Sequence, residues 1–123
     1  MADTTDPRRS LGEYGERLAE RYLTERGLQV VDRNWRCSRG ELDLVARDGD
    51  CLVFCEVKTR RSERFGSPVE AVHPGKAARL RRLATAWLQD HEEHPARIRI
   101  DVIGILRPPR GIAVLRHLEG VGA

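Results

Sequence analysis

The sequence predicts one α/β domain, a central mixed five-stranded sheet flanked by helices in the order α-β-β-β-α-β-β. Three observations carry this reading. Two long segments repeat apolar residues at helical spacing, five short apolar runs have the length of strands, and turn residues mark the junctions. With 123 residues, 40% of them apolar and 33% charged, the chain can bury one hydrophobic core beneath a heavily charged surface.

The opening "MADTTDPRRS" has no apolar stretch of the kind a secretion signal needs, so residues 1–9 read as a disordered tail and 10–119 as the domain. Residues 11–26 read as the first helix, with Ser10 as N-cap, Gly27 as C-cap, and Leu11, Tyr14, Leu18, Ala19, Tyr22 and Leu23 on its buried side. "LQVVDRNWR" (28–36) reads as a strand and "CSRG" (37–40) as a turn. "ELDLVAR" and "CLVFCEVKT" form the next two strands, with Asp48-Gly49 as the hairpin turn. In the connection 60–74, Ser67, Pro68 and Glu70 spell a capping box for a short helix. Residues 75–89 read as the second long helix, with Ala77, Leu80, Ala84, Trp87 and Leu88 as its apolar stripe. "RIRIDVIGIL" (97–106) and "GIAVLRHL" (111–118) complete the strands around the turn "RPPRG".

Composition narrows the function classes. There is no run of eighteen apolar residues, so no membrane span is expected. Cys37, Cys51 and Cys55 are odd in number and lack C-x-x-C spacing, which fits reduced thiols in the cytoplasm better than a disulfide framework or a zinc site. The net charge is only +3, yet Lys58–Arg82 alone carries +6. A cationic concentration of this kind suits a polyanionic partner.

The stretch "FCEVKTR" (54–60) raises the chemical question. Glu56 and Lys58 lie two residues apart and share one face of a strand. Alone, that pair reads as a strand-end salt bridge. With Asp48-Gly49 as a two-residue loop, Asp43 faces Phe54 and Glu41 faces Glu56, so Asp43, Glu56 and Lys58 project to one side. Asp43 and Glu56 then sit about 7–8 Å apart on the diagonal, close enough to converge on one divalent cation. The opposite face collects Leu42, Leu44, Cys51, Val53, Cys55 and Val57 as core. A three-residue loop with a bulge would instead put the acids on opposite faces.

Asp43 followed across a hairpin by Glu56-Val57-Lys58 resembles the Asp…Glu-x-Lys core of restriction-endonuclease-like nucleases. The longer run "GEYGERLAERYL…RGLQVVDRNWRCSRGELDLVARDG…VFCEVKTRR…GSPVEAV" looks like the YraN family of uncharacterised bacterial proteins, over roughly residues 11–105. The resemblance implies a restriction-endonuclease-like fold, close in plan to Holliday-junction resolvases. It makes Asp43 and Glu56 metal-binding carboxylates, joined by the Val57 carbonyl, and Lys58 the catalytic lysine. Glu16 is the matching acid on the first helix, and its place at the margin of the buried stripe agrees; an ordinary helix-edge charge is the other reading. The proline that precedes the first acid in many such nucleases is replaced by Leu42. Glu41 reads as a hairpin-edge residue or a support to the ligands.

The implied chemistry is Mg²⁺-dependent, or Mn²⁺-dependent, hydrolysis of phosphodiester bonds. The partner is nucleic acid, DNA ahead of RNA, with branched or damaged DNA the natural target. Arg60, Arg61, Arg64, Lys76, Arg79 and Arg82 are the candidate phosphate contacts. A symmetric junction substrate would imply a homodimer. The alternatives are a non-catalytic nucleic-acid-binding module on the same scaffold, and an interaction protein whose basic face docks an acidic partner. Elsewhere, His91 and His94 of "HEEH" read as a helix terminus and Trp35 and Trp87 as core. Asp101 reads as the partner of a nearby arginine, or as support for the site from a neighbouring strand.

Overall fold

The computed structural model describes residues 7–62 and 74–122. The chain forms α1 (Pro7–Glu25), β1 (Gln29–Cys37), β2 (Gly40–Asp48), β3 (Cys51–Arg60), α2 (Pro74–Asp90), β4 (Arg97–Leu106) and β5 (Val114–Leu118). The strands lie in sequence order in one sheet. Only β3 and β4 run parallel, because α2 crosses between them; the other pairs are antiparallel. The predicted α/β plan is therefore present, in the predicted order.

α1 begins at Pro7, a residue suited to a first helical position. Ser10 is thus inside the helix rather than its cap, and residues 7–9 are helical rather than tail. Gly27, at φ 92°, does end the helix: its N–H donates to Thr24 O and that of Leu28 to Leu23 O. These two bonds make a Schellman motif, with Leu23 and Leu28 packed together beneath it. The buried line of α1 is Leu11, Gly15, Ala19 and Leu23, so Gly15 joins a stripe that apolarity alone would not give it.

β3 is buried on both faces from Cys51 to Val57, as the strand between a parallel and an antiparallel neighbour. Its odd-numbered side chains enter a core with α1, and Leu52 and Phe54 enter a second core with α2. The face read from sequence as functional is therefore core as far as Phe54. α2 seals that second core with Leu80, Leu83, Ala84 and Trp87, and Ala77 is buried as well; Leu83 is an addition to the predicted stripe and Leu88 is only partly buried. It closes at "HEEH" with a second Schellman pair, Glu93 N–H to Leu88 O and Glu92 N–H to Gln89 O, Glu92 taking the left-handed φ of 51°. β5 is shorter than predicted. The predicted capping box of Ser67, Pro68 and Glu70 lies outside the described residues. Among the described residues no helix is long and apolar enough to cross a membrane.

Candidate active site

The β2–β3 hairpin turns at Gly49-Asp50, not Asp48-Gly49: Asp48 pairs with Cys51 and Val45 with Phe54. Gly49 supplies the positive φ, 61°, that the turn needs. The register is shifted by two residues from the predicted one, which alone would keep every side chain on its predicted face. A second feature changes the faces. Leu42 packs in the α2-side core and Leu44 in the α1-side core, so the alternation of β2 slips once between them. β1 slips at the same rung, since Arg33 reaches Glu20 of α1 whereas Trp35 packs on the α2 side. Asn34, at φ 50°, stands between the paired rungs Arg33–Leu44 and Trp35–Leu42.

The slip turns Asp43 toward α1. Carboxylate oxygens of Glu16, Glu41 and Asp43 lie within 4.8 Å of one another. Glu41, read from sequence as a hairpin-edge residue or a support to the ligands, is thus a member of the cluster; Arg36 pairs with it at 2.7 Å from the solvent side. Glu16 is set beside the buried Gly15, where α1 approaches β3 so closely that a Cβ on Gly15 would stand 1.7 Å from Thr59 Oγ1. Asn34 hydrogen-bonds Glu16. Glu20, one turn further along α1, is gripped by Nε–H and Nη2–H of one guanidinium edge of Arg33. A cleft of about 370 Å³, lined by Arg9, Gly12, Glu13, Glu16, Asn34, Arg36 and Glu41, opens over the acids.

Backbone pairing of β2 with β3 ends at Leu44–Cys55. At the next step Val57 N–H donates to Asp43 Oδ2 at 2.7 Å. Burial nevertheless pushes the Asp43 carboxyl up to about 7; the Val57 amide pulls it down, and the charges of Glu16, Glu56 and Glu41 push it further up. Glu16 is raised by burial and then by Glu41, against the lowering effect of Asn34. Like charges in a desolvated cluster favour the neutral acids. A hard divalent cation answers that repulsion with the ligand type it prefers, carboxylate oxygen, so the residues present fit Mg²⁺ or Mn²⁺.

Glu56 does not join the cluster of three. It turns to α2, where Lys76 Nζ stands 2.8 Å from Oε2 and Arg79 Nη2 3.8 Å from Oε1. The prediction that Asp43, Glu56 and Lys58 share one side is corrected accordingly: Glu56 and Lys58 lie on the α2 side of β3, and Asp43 faces α1. Asp43 still lies near enough to Glu56 to feel its charge. Lys58 and Arg60 are half-buried, whereas Arg61, Arg79 and Arg82 are exposed. Arg64 lies outside the described residues. Lys76, assigned from sequence to phosphate contact, is mostly buried against Glu56.

Asp101 lies in a separate polar network. It is fully buried, takes two hydrogen bonds from Arg99 at 2.9 Å and one from Gly120 N–H at 3.0 Å, and meets His117 Nε2 at 2.7 Å. Tyr22 OH lies 3.0 Å from His117 Nδ1, tying α1 to β5. The predicted arginine partner is Arg99. Trp87 is core as predicted, its Nε1–H donating to Asp32 Oδ2 at 2.8 Å, while Trp35 is only partly buried. Cys51 and Cys55 are buried free thiols, and burial raises both above the ordinary thiol range.

The sequence of this chain is similar to proteins of known family. A relative from Beutenbergia cavernae, called a UPF0102 protein, is 59% identical over 113 residues, covering 92% of this chain and 96% of the relative. One from Streptomyces griseus is 58% identical over 115 residues, covering 93% and 97%, and one from Frankia alni 55% over 111 residues, covering 90% and 92%. The profile of Uncharacterised protein family UPF0102 matches residues 15–105, a span that holds Glu16, Asn34, Glu41, Asp43, Glu56, Lys58 and Lys76. The chain therefore belongs to the uncharacterised protein family UPF0102.

Proposed function

We propose that this protein is a metal-dependent nuclease that hydrolyses phosphodiester bonds of DNA, with branched or damaged DNA as its target. The observation that supports this most is the three-carboxylate cluster around Asp43, desolvated and held by a main-chain N–H, one strand away from Lys58. Asp43, Glu16 and Glu41 would hold the cation, with Glu56 beside them. When bound, Mg²⁺ or Mn²⁺ supplies charge stabilisation at the phosphoryl oxygens and a more acidic water.

The chain's own groups divide the remaining work. The Val57 N–H fixes the direction of the Asp43 carboxylate, and the close seat of Gly15 on Thr59 fixes where α1 delivers Glu16. The Lys58 ammonium stabilises charge that develops on the phosphoryl oxygens. Arg60 and Arg61 follow on the same strand end and hold flanking phosphates, which reads backbone charge rather than bases.

The test is a cleavage panel of four-way junction, flap, duplex and single-stranded DNA, with RNA counterparts, in Mg²⁺ and Mn²⁺. Cleavage should depend on the metal and fall at least a hundredfold, on the order of the loss of a transition-state contact, in Asp43→Asn and Lys58→Met. Cleavage that survives both substitutions rejects the reading. Salt-sensitive DNA binding with no metal-dependent cleavage would favour the non-catalytic module.

A further inference from the structure

Lys76 and Arg79 of α2 both reach Glu56, and Lys76 does so in a way that a purely structural pair would not need. The two side chains are only 16% and 10% exposed. Glu56 Oε2 is sealed from water and accepts no aligned hydrogen bond, so the 2.8 Å approach of the ammonium is a bare contact of charges. Lys76 also stands in the first turn of α2, which carries no acidic residue, and a cation there opposes the helix dipole. A cation set against the helix dipole, beside a buried carboxylate oxygen that accepts no hydrogen bond, is the pattern of a functional position.

The choice of cation adds a third observation. Of the 22 basic residues in the chain only Lys58 and Lys76 are lysines; the rest are arginines. Both lysines belong to the surroundings of Glu56, one two residues along β3 and the other in contact with it. An arginine would grip a carboxylate with a rigid bidentate fork, whereas lysine is a compact point charge on a flexible stem. A cation that has to let go of Glu56 is better made as lysine.

We propose that Lys76 is a cation-displaced latch: in the metal-free protein its ammonium holds Glu56, and a divalent ion entering the acid cluster takes Glu56 over and releases Lys76 to a substrate phosphate. The inference rests on the metal-dependent reading above and adds to it a positioning residue for the phosphodiester. Arg79, half exposed and 3.8 Å from Glu56, stays at the rim, where it meets the same phosphate chain from outside. The exchange also makes metal and DNA binding cooperative, since each ligand draws one member of the Lys76–Glu56 pair away from the other.

The protein lends itself to a direct test, because lysine labelled with ¹³C at Cε gives signals from Lys58 and Lys76 only, assigned with Lys58→Arg. Mg²⁺ without DNA should move the Lys76 signal to the position it takes in Glu56→Gln. In Ca²⁺, Lys76→Met should bind a short DNA duplex about tenfold more weakly than wild type, as for loss of one charged contact, and equally well in EDTA. Calorimetric Mg²⁺ binding that leaves the Lys76 signal in place overturns the latch and leaves the nuclease reading standing. Unchanged duplex affinity of Lys76→Met in Ca²⁺ overturns the release to phosphate. No Mg²⁺ binding by wild type overturns the nuclease reading itself. If Lys76→Met does not fold, the signal shift in wild type decides alone.

Discussion

The Val57 N–H and the Asp43 carboxylate meet at 2.7 Å where the β2–β3 ladder ends, so a side chain takes over from the main chain at the last rung. That bond favours the ionised acid, yet burial and three neighbouring acids outweigh it and lift the carboxyl from 3.8 to about 7. Between those two values the folded protein binds more protons than the unfolded chain. Stability of the metal-free protein should therefore fall as pH rises through this window, and stay low above it. Asp43→Asn, which keeps an acceptor for Val57, should gain about 2–4 kcal/mol at mildly alkaline pH and little below the unfolded value. Urea melts across pH check this, and Mg²⁺ should restore much of the wild-type loss.

Asp101 sets the opposite limb. Its hydrogen bonds from His117, Arg99 and Gly120 outweigh its burial and hold the carboxyl below its ordinary 3.8. That stability is present above the unfolded value and is lost as pH falls through the lower folded one. Asp101→Ala should cost about 3–5 kcal/mol near neutral pH, because Arg99 and His117 lose their shared partner in the interior. Acid-induced unfolding of wild type and variant, followed by circular dichroism, should show the variant losing its structure at higher pH.

Gly15 has no room for a side chain. A Cβ there would lie 1.7 Å from Thr59 Oγ1 and 2.9 Å from Thr59 Cβ. Gly15→Ala should destabilise by about 1–3 kcal/mol as α1 is forced off β3. Adding Thr59→Ala should recover only part of this, because the second contact remains. The urea midpoints of the single and double variants measure the coupling, and full additivity would contradict the contact.

Glu41 offers a test of the cluster on metal binding alone. Glu41→Gln should weaken Mn²⁺ binding about tenfold or more, in the range seen for groups that hold or support a metal. Glu20→Gln, whose carboxylate is occupied by Arg33, should leave it within about twofold, as for a screened charge outside the site. Electron paramagnetic resonance of free Mn²⁺ gives both values.

Much of this architecture was legible because the periodicities are strong. β4 has the predicted bounds, and the buried stripe of α2 follows its helical spacing. The site was less legible, for a physical reason. Sequence alternation predicts faces only while a strand stays regular, and β1 and β2 both slip at the Asn34–Asp43 rung. Nothing in "DRNWR" or "ELDLV" spells that slip, although Asn is among the few residues that accept a positive φ readily. Leu42 turns to the α2 side, away from its expected face, for the same reason that Glu41 stands in the cluster itself rather than at the hairpin edge or behind the ligands. Phe54 belongs to the unbroken apolar run "CLVFC", which is the pattern of a strand covered on both sides rather than of one with a single core face.

β5 lies at the edge of the sheet and turns only Leu115 and His117 inward, the latter 7% exposed, so apolar patterning gives this five-residue strand little hold on its alignment. Slid along by two residues, it would offer Leu115 or Glu119 to Asp101 in place of His117, an apolar group or a second negative charge against a buried carboxylate. Either error carries a cost that a misplaced surface leucine would not. The last strand is thus proofread by electrostatics: only one alignment lets the final residues of the fold close over Asp101.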